Sequence, residues 1–198
     1  MQIETRRRIA DLTSNILNPF SVSLVIILLL SFKSTSTTPD ALRWALILIA
    51  VSILPIFSVM VYLVRRGRLD GFFTDVRRQR TRVYLLAVAW AVIAGVIITC
   101  LGAPSVLIAT FVAGLSAVIV FTCINLFWKI SLHIAFVAAS AAVLGILYWP
   151  IGMVSLVFLP LMGWARIEAG HHSVAQVATG AVLAAGIAVV AFYLFGLF

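Results

Sequence analysis

A short polar segment near the carboxyl end carries side chains that can bind an anion. Arg166 ends one apolar run and His172 begins the next, while Glu168, His172 and Gln176 recur at four-residue intervals. On a helix, residues four apart share a face. The planar guanidinium of Arg166 suits phosphate oxygens, and a helix N-terminus beside His172 would add backbone N–H donors. The segment therefore predicts a site for a negatively charged group.

A second polar cluster lies upstream between two other apolar runs. Asn125, Lys129 and His133 are spaced by four residues, so a helical stretch would align them as one polar stripe, with Ser131 off that stripe. Ionisable groups at membrane depth are rare and usually functional. The alternative is an interfacial lysine that extends toward lipid headgroups beside a histidine.

A third cluster is the arginine-rich loop, which contains Arg65, Arg66, Arg68, Arg77, Arg78, Arg80 and Arg82. Basic loops set membrane topology and attract anionic lipid headgroups, at about 1 kcal/mol per residue. Most of these arginines are assigned that role. Arg80 and Arg82 are best placed to reach inward and contact a phosphate.

The composition restricts the class of protein that carries these clusters. Hydrophobic residues make up 64% of the chain and charged residues only 10%, against roughly a quarter charged in soluble proteins. Mean hydropathy is +1.20. The backbone in lipid must bond within its own segment, so we expect an all-α, polytopic transmembrane bundle. The net charge of +8 is clustered in loops, as membrane topology requires, and a nucleic-acid partner is not expected.

Metal and cofactor chemistry are not expected. The sequence offers no carboxylate-rich cage for a metal ion. Cys100 and Cys123 both lie within apolar runs and are expected to be small buried hydrophobic residues rather than a disulfide or a metal site.

Seven apolar runs organise the chain as a single integral membrane domain over residues 1–198. A span needs about 20 apolar residues, so the first and sixth runs are marginal and six or seven spans are expected. Pro55 is expected to kink the second run. The runs cover approximately residues 17–33, 41–64, 83–102, 104–124, 131–148, 150–165 and 173–197.

Charge predicts the orientation of these spans. The N-terminus carries Arg6, Arg7 and Arg8, whereas the opposite side keeps only Lys33 and Arg43. The positive-inside rule places the N-terminus and the arginine-rich loop in the cytoplasm. Counting spans from there brings all three polar clusters to the cytoplasmic face, where they are expected to surround one site.

The order of these polar residues resembles a known family. Arg166 is followed after five residues by His172 and after three more by Gln176, and upstream the pair Ser131 and His133 forms Ser-x-His. This pattern is similar to the type-2 phosphatidate phosphatase superfamily, which includes isoprenyl-diphosphate phosphatases and carries the motifs K-x6-R-P, P-S-G-H and S-R-x5-H-x3-D. The resemblance extends from Asp75 to Gln176, within a catalytic-like core of about residues 75–197.

The chain departs from the family pattern at several positions. Ala165 replaces the serine before the arginine, and Gln176 replaces the terminal aspartate. The second motif lacks its proline and glycine. The first motif keeps at most Arg82, because Val83 follows it and Asp75 stands at the lysine position.

The resemblance implies roles for the matching residues. His172 would attack phosphorus and form a phosphohistidine, and His133 would protonate the leaving group. Arg166 would hold the phosphate together with Arg82 and Lys129, with Arg80, Ser131 and Asn125 as further candidates. Gln176 would orient His172 through its carbonyl oxygen, or Glu168 would supply the missing carboxylate from the other side.

Three functions are compatible with these residues. The first is a membrane phosphatase for a lipid phosphate or an isoprenyl diphosphate, whose tail would stay in lipid. The second is a non-catalytic relative that binds lipid or acts as a scaffold subunit of a membrane complex. The third is a small transporter or channel, which is disfavoured because transporter sites usually lie near the midplane.

Overall fold

The structure is a computed structural model that describes residues 2–74 and 76–198, and only the backbone of residues 2 and 3. Over this part of the chain it contains helices and no strand, which confirms the all-α class. The helices are α1 (Gln2–Ile16), α2 (Pro19–Ser34), α3 (Thr38–Leu48), a π-helical turn (Ile49–Ile53), α4 (Leu54–Arg65), α5 (Arg77–Cys100), α6 (Ser105–Asn125), α7 (Leu132–Leu147), α8 (Trp149–Ser155), α9 (Phe158–Glu168) and α10 (Val174–Leu194).

Five helical segments of the described chain are long and apolar enough to cross a membrane. They are Thr38–Arg65, Arg77–Cys100, Ser105–Asn125, Trp149–Glu168 and Val174–Leu194. A sixth would be the pair α1 and α2, if these two helices, bent by 41°, form one span. Helix α7 is apolar but shorter, at 16 residues. These helices identify an integral membrane protein.

The chain divides into two compact units. The terminal unit comprises the chain up to Val25 together with Lys129–Phe198, and the central unit comprises Ile26–Trp128. The sequence predicts a single membrane domain and does not anticipate this division, because every apolar run has the same general composition.

Helix α7 is at the core of the terminal unit and packs against α8, α9 and α10. Ile134 and Val137 of α7 contact Met162 of α9 and Val177 of α10 in one buried cluster. Helix α10 approaches the start of α7 closely at Gly180, where a Cβ atom would lie 2.9 Å from the carbonyl oxygen of Ser131. Only glycine permits this approach, which brings the first turns of α7 beside α10.

Helix α1 also belongs to the terminal unit, although the pattern of apolar runs predicts no helix over residues 2–16. It packs against α9 through Ala10, which is buried with Ala165 and Ala169. Arg6, one turn before Ala10, forms an ion pair with Glu168 at 2.9 Å between Nη2 and Oε2. Charged residues interrupt the sequence of α1, so the length of apolar runs does not indicate that this segment is a helix.

The central unit contains the irregular span predicted at Pro55. The π-helical turn Ile49–Ile53 directly precedes α4, whose first turn holds Pro55. Proline has no N–H to donate to the carbonyl of Val51 four residues earlier. The indole Nε1 of Trp90 on α5 donates to that carbonyl oxygen at 2.7 Å. The proline thus alters the helix without ending the span.

The two cysteines differ from expectation, because Cys100 and Cys123 are both exposed rather than buried. Cys100 is the last residue of α5 and Cys123 lies near the end of α6. In a membrane the outer surface of a helix contacts lipid, so a small, weakly polar side chain is tolerated there without burial in protein.

Candidate functional site

The turn between α9 and α10 positions the Arg-x5-His pair. After the last turn of α9, Gly170 has φ +73°. The N–H of Gly170 donates to the carbonyl of Ile167 at 2.9 Å, and the N–H of His171 donates to that of Arg166 at 3.2 Å. These bonds are those of a Schellman motif. The motif follows the end of α9 at Glu168, two residues after Arg166, and turns the chain so that His172 precedes α10.

The start of α10 fixes the orientation of His172. Ser173 caps this helix: its hydroxyl accepts from the N–H of Gln176 at 3.3 Å, and the Gln176 side-chain oxygen accepts from the N–H of Ser173 at 3.2 Å. This reciprocal pair is a capping box. The same oxygen, Oε1, lies 3.1 Å from Nδ1 of His172.

The capping box indicates which ring nitrogen of His172 carries the proton. A backbone N–H donates to Oε1 of Gln176, so this atom is an acceptor and cannot be the amide nitrogen. Its other close neighbour, Nδ1 of His172, must therefore be the protonated nitrogen if the contact is a hydrogen bond. In the neutral ring Nε2 then carries the lone pair and can act as a nucleophile.

The predicted polar stripe of Asn125, Lys129 and His133 is not formed. Helix α6 ends at Asn125 and α7 begins at Leu132, and the residues between them are not helical. Helical spacing therefore does not align the three side chains. The four-residue spacing predicts a stripe only where the stretch is helical, and no proline or glycine between Asn125 and Ser131 marks the break.

The residues that begin α7 are deeply buried. Ser131 occupies the cap position and has 0% of its surface exposed, and His133 in the first turn has 3% exposed. The hydroxyl of Ser131 has no hydrogen-bond partner among the residues that the structure describes. A buried hydroxyl without a partner costs about 1–3 kcal/mol. A ligand oxygen at the α7 N-terminus would remove that cost.

Lys129 connects the segment before α7 to the turn between α9 and α10. Its Nζ donates to the carbonyl oxygen of His171 at 2.6 Å. Because that carbonyl lies in the turn, the bond holds the lysine beside the two histidines. Lys129 therefore has a defined partner within the protein, unlike a lysine that extends toward lipid headgroups.

Three basic side chains lie close enough to His133 for their charges to act on its ring: Arg166, His172 and His171. Arg166 is itself only 6% exposed. The structure therefore brings together residues that are far apart in the sequence. We call Lys129, Ser131, His133, Arg166 and His172 the basic cluster. Several basic side chains gathered in a largely buried setting give a positive potential that can attract an anion.

Glu168 lies beside the basic cluster but faces α1. The Glu168 carboxylate binds Arg6. The oxygen within hydrogen-bond distance of the His172 ring belongs to Gln176. Sequence reasoning missed Arg6 as the partner of Glu168, and nothing in the local sequence indicates that contact. It also missed Ser173, although Ser-x-x-Gln before an apolar run is a recognisable capping signal.

The central unit holds the other candidate phosphate ligands. Arg80 Nε donates to Asn125 Oδ1 at 2.7 Å, Asn125 Nδ2 donates to Thr81 at 2.9 Å, and Arg77 Nε donates to the Asn125 carbonyl at 2.8 Å. Asn125 is completely buried, so its amide joins the start of α5 to the end of α6.

Two residues compared with the first motif remain, Arg82 and Asp75. Arg82 is exposed on α5, and Asp75 lies outside the described residues. No group of three or more His, Cys, Asp or Glu side chains within residues 2–74 and 76–198 is arranged to hold a metal ion.

The chain was compared with protein-family models, curated proteins and solved structures, and none of them matches it.

Proposed function

We propose that this protein is a membrane-embedded phosphatase that hydrolyses a lipid phosphate or an isoprenyl diphosphate through a phosphohistidine intermediate. The observation that supports this most is the hydrogen bond of His172 to Gln176. It leaves Nε2 of His172 as the nucleophilic atom, in a neighbourhood that includes Arg166 and His133. A nucleophile, a candidate acid and a phosphate-binding guanidinium are the groups that such a reaction requires.

Substrate binding follows from the charge of the basic cluster. The guanidinium of Arg166 would pair with two phosphate oxygens, and the hydroxyl of Ser131 would donate to a third. Lys129 contributes a positive charge held by the carbonyl of His171. Phosphoryl transfer depends chiefly on positioning and on charge stabilisation of this kind.

In the first chemical step, the lone pair on Nε2 of His172 attacks phosphorus. The bond between phosphorus and the oxygen of the leaving group breaks, and that oxygen takes the electron pair. His133, in its protonated form, transfers its proton to the same oxygen. A bound phosphate would offset the neighbouring positive charges and so favour that protonated form. The products are a lipid alcohol, or a prenyl monophosphate, and a phosphohistidine.

In the second step, water attacks the phosphohistidine. His133, now neutral, accepts a proton from the water, the bond between nitrogen and phosphorus breaks, and inorganic phosphate leaves. The pair of electrons returns to Nε2 of His172. Gln176 holds Nδ1 throughout, so the ring does not need to reorient between the two steps.

The proposed setting is the cytoplasmic face of the membrane. The basic N-terminus and the arginine-rich loop favour that side, and the loop would also attract anionic lipid headgroups. A substrate tail in the bilayer and a headgroup at the basic cluster fit a site at the membrane edge. Newly made prenyl diphosphates are accessible from this side.

The test is phosphate release by the purified protein. Phosphatidic acid and farnesyl diphosphate would be supplied in detergent micelles, and inorganic phosphate would be measured for the wild type, His172→Ala and His133→Ala. We expect release by the wild type and loss in His172→Ala. Release that persists in His172→Ala would exclude the phosphohistidine route.

A second candidate function is a non-catalytic relative that binds lipid or serves as a scaffold subunit of a membrane complex. The observation that favours it is Ala165, which stands where the family has serine and is completely buried in the contact between α9 and α1. In this protein, Ala165 therefore serves the packing of α9 against α1. Vanadate binding without phosphate release from any lipid phosphate would support this alternative.

A further inference from the structure

Helix α1 has three distinct faces. Ala10 and Ser14 are buried, on the side that packs against α9. Ile9, Leu12 and Ile16 recur at the spacing of one helix face, and all three are largely exposed. The remaining exposed face is polar and consists of Glu4, Arg7, Arg8, Asp11 and Asn15. A helix with an apolar strip beside a charged face is typical of the boundary between lipid and water.

The bend between α1 and α2 is determined by the sequence. Only Leu17 and Asn18 separate the two helices. Asn18 Oδ1 accepts from the N–H groups of Phe20 and Ser21 at 2.8 and 3.0 Å, and its Nδ2 donates to the carbonyl of Asn15 at 2.7 Å. One side chain thus starts α2 and bonds a carbonyl at the end of α1. The chain changes direction by 41° at this joint.

The charge of α1 argues against its crossing the bilayer. Five ionisable side chains lie between Glu4 and Asp11. Each costs about 2.5–3.5 kcal/mol at the centre of a span, and only Arg6 pairs with a residue of another helix, Glu168. Helix α2 has 16 residues, all apolar or weakly polar except Lys33 in its last turn, and is about 24 Å long, so it reaches most of the way across without α1.

We propose that α1 lies in the membrane interface as an inclined surface helix, because the 41° bend tilts it away from the axis of α2 without bringing it fully into the membrane plane. Ile9, Leu12 and Ile16 would contact acyl chains, and the charged face would meet headgroups and water. The apolar strip adjoins the bilayer, because only two residues separate α1 from α2 and α2 enters the bilayer. The polar face carries Arg7 and Arg8 against Glu4 and Asp11, which sum to no net charge, so docking does not require anionic lipid.

Spin labels on the two exposed faces test this placement. Cys100 and Cys123, both exposed, would be replaced by alanine in the full chain. Single cysteines would then be introduced at Ile9 or Leu12 on the apolar strip, and at Asp11 or Asn15 on the charged face. The labelled proteins would be reconstituted in nanodiscs of phosphatidylcholine, with or without phosphatidylglycerol. Collision rates with oxygen and with a water-soluble nickel chelate would be compared.

We expect oxygen accessibility relative to nickel to be several-fold higher on the apolar strip than on the charged face, and equal in both lipids. Exclusion of nickel from both faces would mean that α1 crosses the membrane. Free access of nickel to both faces would mean that α1 lies in water. Either result, or a contrast seen only with phosphatidylglycerol, would overturn the proposal. Phosphatase activity plays no part in this measurement.

Discussion

The side-chain oxygen of Gln176 lies 3.1 Å from Nδ1 of His172, and the same oxygen accepts the backbone N–H of Ser173. One atom therefore caps α10 and orients the imidazole that precedes it. A carboxylate in this position would also stabilise positive charge on the ring, whereas an amide only orients the ring. This relationship explains how the chain keeps the geometry of the resembled motif without its aspartate.

The first prediction concerns the missing charge. Gln176→Glu keeps the shape of the side chain and the capping box but adds a carboxylate beside His172. Removal of the carboxylate from the comparable serine-protease triad costs about 10⁴-fold in turnover, so we expect Gln176→Glu to raise phosphate release, by up to about 10⁴-fold.

Gln176→Leu is the matched control for this substitution. It removes the acceptor for His172 and the side-chain half of the capping box, so phosphate release should fall and stability should decrease by up to about 1 kcal/mol. Equal turnover in the wild type, Gln176→Glu and Gln176→Leu would show that Gln176 does not act on His172.

The second prediction separates Glu168 from the chemistry. Its carboxylate binds Arg6, whose side chain is largely exposed, and exposed ion pairs contribute about 0–1 kcal/mol. We expect Glu168→Gln and Arg6→Gln to have the same small effect on thermal unfolding and to leave phosphate release unchanged. A loss of turnover in Glu168→Gln alone would instead indicate that Glu168 supplies the missing carboxylate.

The third prediction concerns Asn125, whose buried amide contacts both Arg80 and Thr81. Asn125→Ala leaves these partners without their bonds and should destabilise the protein by about 1–3 kcal/mol, measured by thermal unfolding in detergent. Thr110→Ala on the same helix is the control, because the Thr110 hydroxyl bonds only its own helix, at the carbonyl of Val106. Equal stability of the two variants would contradict a structural role for the Asn125 amide.

The fourth prediction tests the contact between Trp90 and the carbonyl of Val51. Trp90→Phe removes the donor and should destabilise the protein by about 1–3 kcal/mol. Pro55→Ala restores a backbone N–H near the same carbonyl, so Trp90→Phe should cost less in the Pro55→Ala background. A double-mutant cycle of unfolding free energies measures the difference. Strict additivity would show that the indole does not compensate for the proline.

Much of the architecture follows from run length and composition. The apolar runs at residues 104–124 and 173–197 predict two helices, and they correspond closely to α6 and α10. Arg166 and His172 flank a tight turn because polar residues and Gly170 interrupt two apolar segments. Such features are local, so the sequence determines them directly.

Other features depend on contacts between distant segments and could not be predicted. The bond from Lys129 to the carbonyl of His171 joins positions 42 residues apart. The pairing of Arg6 with Glu168 requires α1 to pack on α9 through small residues. The apolar runs leave residues 125–130 between them, but no proline or glycine there indicates whether that segment is helical.

The most direct test of the central claim is the trapping of phosphate on His172. The purified protein would be mixed with farnesyl diphosphate carrying ³²P in its terminal phosphate and quenched within the first turnover. The proposal predicts an acid-labile, base-stable label on the peptide that contains His172, absent from His172→Ala and retained in Glu168→Gln. Phosphate release without such a label, or a label that survives in His172→Ala, would contradict it.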